Sequence, residues 1–228
     1  MRDRRDGAVG PPVPVMTATD YTALDEELLR LGQRNARVAT LSDSSLSVGV
    51  SQRDDARCIQ KARELDIPVV RRSTGGLGVW HAPGDVVWSI ILPRSDTRVG
   101  RDFSKAYARL GTATVRFLNG QGVSGAWAAP TGPPSECCLL SGQGAVLRVS
   151  DRTLGGAAQH ITRDALLHHG VLPYRLDPAR LQELFGLSRA VVNQHLTSLV
   201  EVLGARPATE LARELGTALA AEVSAGRD

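Results

Sequence analysis

The stretch Val69-Val70-Arg71-Arg72-Ser73-Thr74-Gly75-Gly76-Leu77-Gly78-Val79-Trp80-His81 decides how this chain is interpreted. Two short apolar runs, both predicted strands, flank a glycine-rich turn that follows two arginines. Glycines let backbone amides approach an anion or a chain closely, and arginines can hold a carboxylate or phosphate. The segment lacks the GK[ST] ending of a Walker loop, and the strand after it excludes a dinucleotide fingerprint, which needs a helix there. By itself it is also compatible with a plain turn between two strands.

The composition predicts a globular protein. The chain has 228 residues, 42% hydrophobic, a net charge of +3 and 4% aromatic residues. These values allow a sizeable core but give no basic, aromatic-laced stripe for nucleic acid, and no run approaches the roughly 20 apolar residues of a membrane span. The charged, Pro-rich start lacks the apolar core of a secretory signal. We expect a disordered leader over residues 1–16, or a true start at Met16, and then a single cytoplasmic domain over residues 17–228.

The chain has three cysteines, Cys58, Cys137 and Cys138, two of them adjacent. An odd number with an adjacent pair is a poor disulfide framework, so we expect free thiols in a reducing compartment. Cys58 lies in a predicted helix and is expected to be structural. The adjacent pairs Cys137-Cys138 and His168-His169 lack the spacing of metal ligands, so no metal site is predicted.

The periodicity of apolar residues predicts interspersed helices and strands without a strict βαβ rhythm. Residues 83–85 are predicted to form a hairpin turn and residues 120–135 a loop. The pattern favours an α/β fold (α+β type), with a mixed central β-sheet flanked by helices. Helices are predicted over residues 21–33, 54–65, 103–119, 178–185, 190–203 and 208–224, and strands over 37–41, 46–50, 68–72, 79–81, 86–92, 145–149 and 167–174.

Several motifs resemble one family in the same order along the chain. The opening stretch resembles the "RRxTGGxAVxH" signature of lipoate-protein ligases and related octanoyltransferases. The other matches are Ala23-Leu24-Asp25-Glu26 to "ALEE", residues 81–87 to "HGPGQLV", residues 152–159 to "RKxxGSAQ", residues 167–172 to "LQHGxxL" and residues 196–199 to "VTSL". The resemblance runs from about residue 20 to 220. It implies the catalytic-domain fold of biotin and lipoate protein ligases, without a separate C-terminal accessory domain.

The resemblance implies acyl chemistry on octanoyl or lipoyl groups. Ligases of this family make an acyl-adenylate from ATP, whereas transferases take the acyl group from acyl carrier protein. The family's lysine in "RKxxGSAQ" corresponds here to Thr153, which carries no charge, and an extended strand would turn Arg152 to the opposite face. Leu77 replaces a ligase glycine, and Ala82 and Asp85 replace a ligase Asp and Asn, so ATP use is not favoured.

Cys138 is the candidate nucleophile. It lies fifteen residues before Thr153, the spacing of one transferase branch. A thiolate is a strong nucleophile, and a thioester intermediate divides acyl transfer into two easier steps. The alternative is a buried cysteine at a strand edge.

Four histidines could serve as its base: His81, His160, His168 and His169. Alternation along a strand lets only one of His168 and His169 face the site, and the resemblance assigns that role to His169. The predicted catalytic positions are Cys138, Thr153 and His169. The predicted substrate-binding residues are Arg71, Arg72, Gly75, Gly76, Leu77, His81, Gly155, Gly156 and Ala157.

Three functions follow from these observations. The first is a cysteine-dependent acyltransferase that moves an octanoyl, lipoyl or related group from acyl carrier protein to a lipoyl-type carrier domain or a small-molecule amine. This function includes non-standard acceptors, as in a pathway of specialised metabolism. The second is an ATP-dependent ligase with an altered site. The third is a non-catalytic relative that binds an acyl group or a partner protein. No nucleic-acid or membrane partner is expected, and the oligomeric state is left open.

Overall fold

The structure is a computed structural model that describes residues 12–100, 103–142 and 144–225. Its strands are β1 (Val15–Met16), β2 (Asn35–Leu41), β3 (Ser45–Val48), β4 (Val69–Arg71), β5 (Val79–His81), β6 (Val86–Pro93), β7 (Gly125–Ala128), β8 (Val146–Val149), β9 (Arg152–Ile161) and β10 (Ala165–Leu172). Its helices are α1 (Ala18–Leu31), α2 (Arg57–Glu64), α3 (Phe103–Gly120), α4 (Cys138–Ser141), α5 (Pro178–Phe185), α6 (Arg189–His195), α7 (Leu199–Leu203) and α8 (Ala208–Ser224).

Two sheets form the centre of the fold. The larger has seven strands in the order β1-β2-β6-β10-β9-β8-β7, and the smaller has the order β4-β3-β5. Each sheet contains one parallel pair, β1 with β2 and β3 with β4, and its other pairs are antiparallel. The predicted mixed sheet with flanking helices is therefore confirmed. Across residues 12–100, 103–142 and 144–225, no helix combines the length and apolar character needed to cross a membrane.

Helices α3 and α8 cover one face of the larger sheet. Trp88 and Ile90 of β6 are fully buried there in one cluster with Leu110 of α3 and Leu215 of α8. A different cluster joins Tyr21 of α1 to Val79 and Val87, which belong to the two sheets. The first helix and both sheets therefore meet at a common apolar surface.

Helix α1 begins at Ala18, three residues before the predicted start. Thr17 is the N-cap of this helix, because its hydroxyl accepts the Asp20 N–H at 3.0 Å. Residues 15 and 16, predicted to belong to the leader, form β1 and pair with β2. Residues 1–11 of that leader lie outside the described part of the chain.

The turn at residues 83–85 does not form the predicted hairpin. It connects the two sheets, since β5 pairs with β3 whereas β6 pairs with β2 and β10. The buried Asp85 carboxylate accepts the N–H groups of Ala82 at 3.0 Å and Tyr174 at 2.8 Å. The turn residues were recognised correctly, but their composition did not show where the next strand pairs.

The predicted helix over residues 190–203 is two helices. Helix α6 ends at His195, and the Thr197 N–H then donates to the Thr153 carbonyl at 2.9 Å before Ser198 caps α7. This long-range hydrogen bond interrupts an apolar pattern that local sequence would continue. The predicted loop over residues 120–135 likewise contains β7, whose small residues concealed its pairing with β8. Helices α5 and α8 have the predicted limits.

Candidate active site

A cavity of about 480 Å³ opens where α1, the smaller sheet, α4 and strands β9 and β10 meet. Its volume falls within the several hundred Å³ that small-molecule sites usually have. Much of its wall is apolar, which suits a hydrocarbon chain. This wall includes Tyr21, Leu41, Val79, Val87, Leu139, Val146 and Val171.

The glycine-rich turn is held between two chain segments. On one side Gly49 approaches so closely that a Cβ there would lie 2.2 Å from the Gly76 oxygen. Gly76 has a φ of +99°, a conformation that favours glycine. On the other side, the Gly78 N–H donates to Glu136 O at 2.9 Å and the Cys138 N–H donates to Gly78 O at 2.8 Å. The turn and the cysteine segment are therefore joined through their backbones.

Glu136 also fixes the cysteine segment to α2. Its carboxylate accepts the Arg57 N–H at 3.1 Å and the Cys58 N–H at 2.7 Å. These two N–H groups belong to the first turn of α2, whose N-cap residue, Ala56, provides no side-chain hydrogen bond. The carboxylate therefore supplies the cap that the local sequence lacks.

Cys138 is the thiol that reaches the cavity. It is half-buried, lines the cavity, and its sulfur lies 3.3 Å from the position that a Cβ on Gly76 would occupy. Cys137 and Cys58 are buried in the core, and burial is the main cause that raises the pKa of each thiol to about 12. Neither buried thiol lines the cavity.

His169 of β10 lines the cavity, and its imidazole is held by a buried carboxylate. Its Nδ1 lies 2.8 Å from Asp25 Oδ2, and its Nε2 lies 2.9 Å from Thr74 Oγ1. Arg37 Nη2 pairs with the other Asp25 oxygen at 2.8 Å. Burial alone would raise the pKa of Asp25, but the hydrogen bond and charge of His169 and the charge of Arg37 hold it below its usual value. Both nitrogens of the imidazole are therefore positioned by neighbours.

Asp25 is a site residue that the sequence analysis missed. A charged residue in an amphipathic helix is expected on the polar face, yet Asp25 is only 1% exposed. The match of residues 23–26 to the "ALEE" helix was the available signal.

The other histidines lie differently. The His168 ring points away from His169 and lies between Trp88 and Tyr107, with centroid distances of 5.1 and 4.9 Å. His81 lines the cavity, and burial is the main cause that lowers its pKa to about 3. His160 does not line it, and its Nδ1 lies 2.6 Å from a backbone oxygen before the turn.

The two arginines before the turn have opposite positions. Arg72 is buried and lines the cavity. Arg71 is exposed and outside it, and its guanidinium binds Gly49 O at 2.9 Å and Asp54 at 2.6 Å. Of the two predicted substrate-binding arginines, the structure therefore brings only Arg72 to the cavity, because adjacent residues of an extended segment face opposite sides.

Most of the other predicted binding residues line the cavity. Gly155 does not, because its backbone packs against β10, where a Cβ would lie 2.3 Å from Val171 O. The residues that do line it are Gly75, Gly76, Leu77, His81, Gly156 and Ala157.

Thr153 is buried at 3% exposure and is not part of the cavity wall. A bulge pairs it with Arg148, two residues from Val146, so it keeps the same sheet face as Val146 and Gly156. Its neighbour Arg152 points to the surface, where it binds Glu201 at 2.7 Å. Neither residue therefore brings a positive charge to the cavity.

No group of three or more His, Cys, Asp or Glu side chains within the described residues is arranged to hold a metal ion. The site is thus built from one accessible thiol, one supported imidazole, one buried guanidinium and an apolar slot.

Comparison with known proteins agrees with this description. Two curated relatives are a probable lipoate-protein ligase A of Mycoplasma genitalium, 27% identical over 78% of this chain and 49% of its own length, and the octanoyltransferase LipM of Staphylococcus aureus, 28% identical over 72% of this chain and 64% of its own. The chain thus spans about half to two thirds of these relatives.

A structure of a bipartite lipoate protein ligase and its E2 lipoyl domain from Thermoplasma acidophilum matches with a TM-score of 0.68. It is 16% identical and covers 94% of this chain and 83% of that chain, so it shows the shared fold. The model of the lipoyl protein ligase A/B catalytic domain matches residues 18–222. The chain therefore belongs to the lipoyl protein ligase A/B catalytic-domain family.

Proposed function

We propose that this protein transfers an octanoyl, lipoyl or related acyl group from a carrier thioester to an amine through a thioester on Cys138. The Cys138 thiolate attacks the carbonyl carbon of the donor, and the donor thiol leaves. The acceptor amine then attacks the new thioester, an amide forms, and Cys138 is released. The observation that carries the proposal is the position of this sulfur at the wall of an apolar cavity, beside the glycine-rich turn.

His169 is suited to receive the proton that the amine loses. The hydrogen bond to Asp25 assigns the proton of the neutral ring to Nδ1, which leaves Nε2 as the basic nitrogen. The buried Asp25 carboxylate would stabilise the imidazolium that forms. Amide formation by this route needs no lysine at position 153.

The family and its named relatives support the substrate class. An octanoyltransferase is among the curated relatives, and a structural neighbour is a ligase described with its E2 lipoyl domain. We therefore propose acyl carrier protein as the donor and a lysine of a lipoyl-type carrier domain, or a small-molecule amine, as the acceptor. A thioester donor is already activated, so this reaction needs no ATP.

Intact-protein mass spectrometry after incubation with octanoyl-acyl carrier protein tests the proposal. We expect a hydroxylamine-sensitive increase of one octanoyl group, which Cys138→Ala abolishes. Cys58→Ala is the matched control, because that thiol is buried away from the cavity and should leave the adduct intact. The absence of an adduct, or an adduct that survives in Cys138→Ala, would contradict the mechanism.

A non-catalytic acyl-binding relative is the second candidate. It is favoured by the uncharged, buried Thr153, which occupies the position of the family lysine. Native mass spectrometry separates the two functions. The acyl-binding relative retains octanoate non-covalently and forms no thioester, whereas the acyltransferase forms the thioester on Cys138.

A further inference from the structure

We infer that the Arg72 guanidinium is the positive charge that stabilises the Cys138 thiolate. The inference rests on the proposed function in that it assigns the activation of the same sulfur. It does not require a lysine at position 153 or a protonated histidine.

The first argument is that Arg72 is a buried cation whose described partners are all neutral. It is 6% exposed, and it donates to Ser47 Oγ at 3.2 Å, Gly75 O at 2.9 Å and Leu77 O at 2.8 Å. Within residues 12–100, 103–142 and 144–225, no carboxylate lies at ion-pair distance from it. Buried charges are normally paired, because an isolated charge loses its hydration without compensation. The cavity, which Arg72 lines, is therefore the place where a counter-anion can reach it.

The second argument is that the guanidinium and the sulfur approach the same point. The position of a Cβ on Gly76 lies 2.9 Å from Arg72 Nη2 and 3.3 Å from Cys138 Sγ. Both groups therefore lie close to a point that only the absence of a side chain keeps open. A nearby arginine favours the thiolate over the thiol.

The third argument comes from the other titratable groups around this sulfur. Tyr107 of α3 stays a neutral phenol, because burial raises its pKa above the usual range. Burial keeps His81 neutral by lowering its pKa, and it keeps Cys137 a thiol by raising its pKa. His169 is already matched to the Asp25 carboxylate. Among the described residues that line the cavity, Arg72 alone carries a fixed charge.

The guanidinium also has donors to spare. Of its five N–H groups, two on Nη2 and one on Nη1 bind the neutral acceptors named above. The Nε–H and the second Nη1–H have no acceptor in the described part of the chain. Arg72 can therefore bind an anion without giving up the contacts that hold it.

The rate of Cys138 alkylation by iodoacetamide at neutral pH, located by peptide mass spectrometry, tests the inference. The thiolate is the form that reacts, so Arg72→Gln should slow this alkylation roughly tenfold. Arg72→Lys should restore part of the rate. Arg71→Gln is the matched control, because the adjacent guanidinium lies outside the cavity.

Thermal melting establishes that each variant is folded. A folded Arg72→Gln variant with an unchanged alkylation rate would overturn the inference. If that variant does not fold, the wild-type rate decides, since alkylation of Cys138 no faster than that of an unstructured cysteine peptide overturns the inference equally.

The alkylation assay needs no acyl donor, so it fails independently of the proposed function. Fast, Arg72-dependent alkylation without any acyl adduct would support the ion pair and contradict acyl transfer. An adduct combined with an Arg72-independent alkylation rate would contradict the ion pair alone.

Discussion

Replacement of Gly49 by alanine should move the glycine-rich turn away from its present position. A Cβ at Gly49 would lie 2.2 Å from Gly76 O, 2.8 Å from Gly75 C and 2.9 Å from Gly76 N. All three contacts are with backbone, so no side-chain rotation relieves them. A carbon and a carbonyl oxygen approach to about 3.3 Å, so the two segments must separate by about 1 Å.

The magnitude follows from this displacement. Overpacking of this kind costs about 1–3 kcal/mol, which for a chain of this size lowers the melting temperature by about 2–12 °C. A displacement of about 1 Å at a reacting group can reduce a rate roughly 100-fold. We therefore expect Gly49→Ala to lower both the melting temperature and the rate at which Cys138 takes up an acyl group.

Differential scanning fluorimetry and time-resolved intact-protein mass spectrometry measure the two quantities. For the melting temperature, Gly75→Ala is the matched control, because a Cβ at Gly75 meets no heavy atom within 4 Å. Equal melting temperatures for wild type and Gly49→Ala, or an equal loss in the two variants, would refute the reasoning.

Three further changes have defined outcomes. Asp25→Asn leaves the Arg37 and His169 side chains without their carboxylate and should cost about 3–5 kcal/mol in urea unfolding, whereas a loss below about 1 kcal/mol would contradict the buried ion pair. Burial lowers the pKa of His168 to about 3, so between pH 6.5 and 3 the unfolded chain binds a proton that the native state does not, and stability is lost as pH falls. His168→Phe should remove about 2 kcal/mol of the loss between pH 6.5 and 4.5 in urea unfolding, and identical pH profiles would disprove this. Leu77→Ala removes a side chain from the cavity wall and should shift acyl loading toward longer chains in a mass-spectrometric competition, where an unchanged chain-length profile would count against Leu77 as a wall residue.

The sequence predicted the parts of this protein that depend on local pattern. Strand β5, helices α5 and α8 and the glycine-rich turn follow from periodicity and turn composition. The spacing between Cys138 and Thr153, read against the family motifs, directed attention to the thiol that reaches the cavity.

The features that the sequence did not predict depend on contacts between distant residues. Asp25 is buried because His169 lies against it, 144 positions later in the chain. The break between α6 and α7 is made by a hydrogen bond from Thr197 to Thr153. Arg71 and Arg72 are chemically equivalent in sequence, and only the direction of β4 assigns one to the surface and the other to the cavity. Periodicity within a short window contains none of this information.

The carboxylate of Glu136 has a practical consequence for protein engineering. The side chain of Glu136 caps α2, and its backbone carbonyl accepts the Gly78 N–H. One residue therefore attaches the cysteine segment both to α2 and to the glycine-rich turn. A graft of residues 135–142 into a homologous scaffold would therefore carry the sulfur but lose both attachments. A transplanted nucleophile would retain its geometry only if the first turn of α2 and the glycine-rich turn were transferred with it.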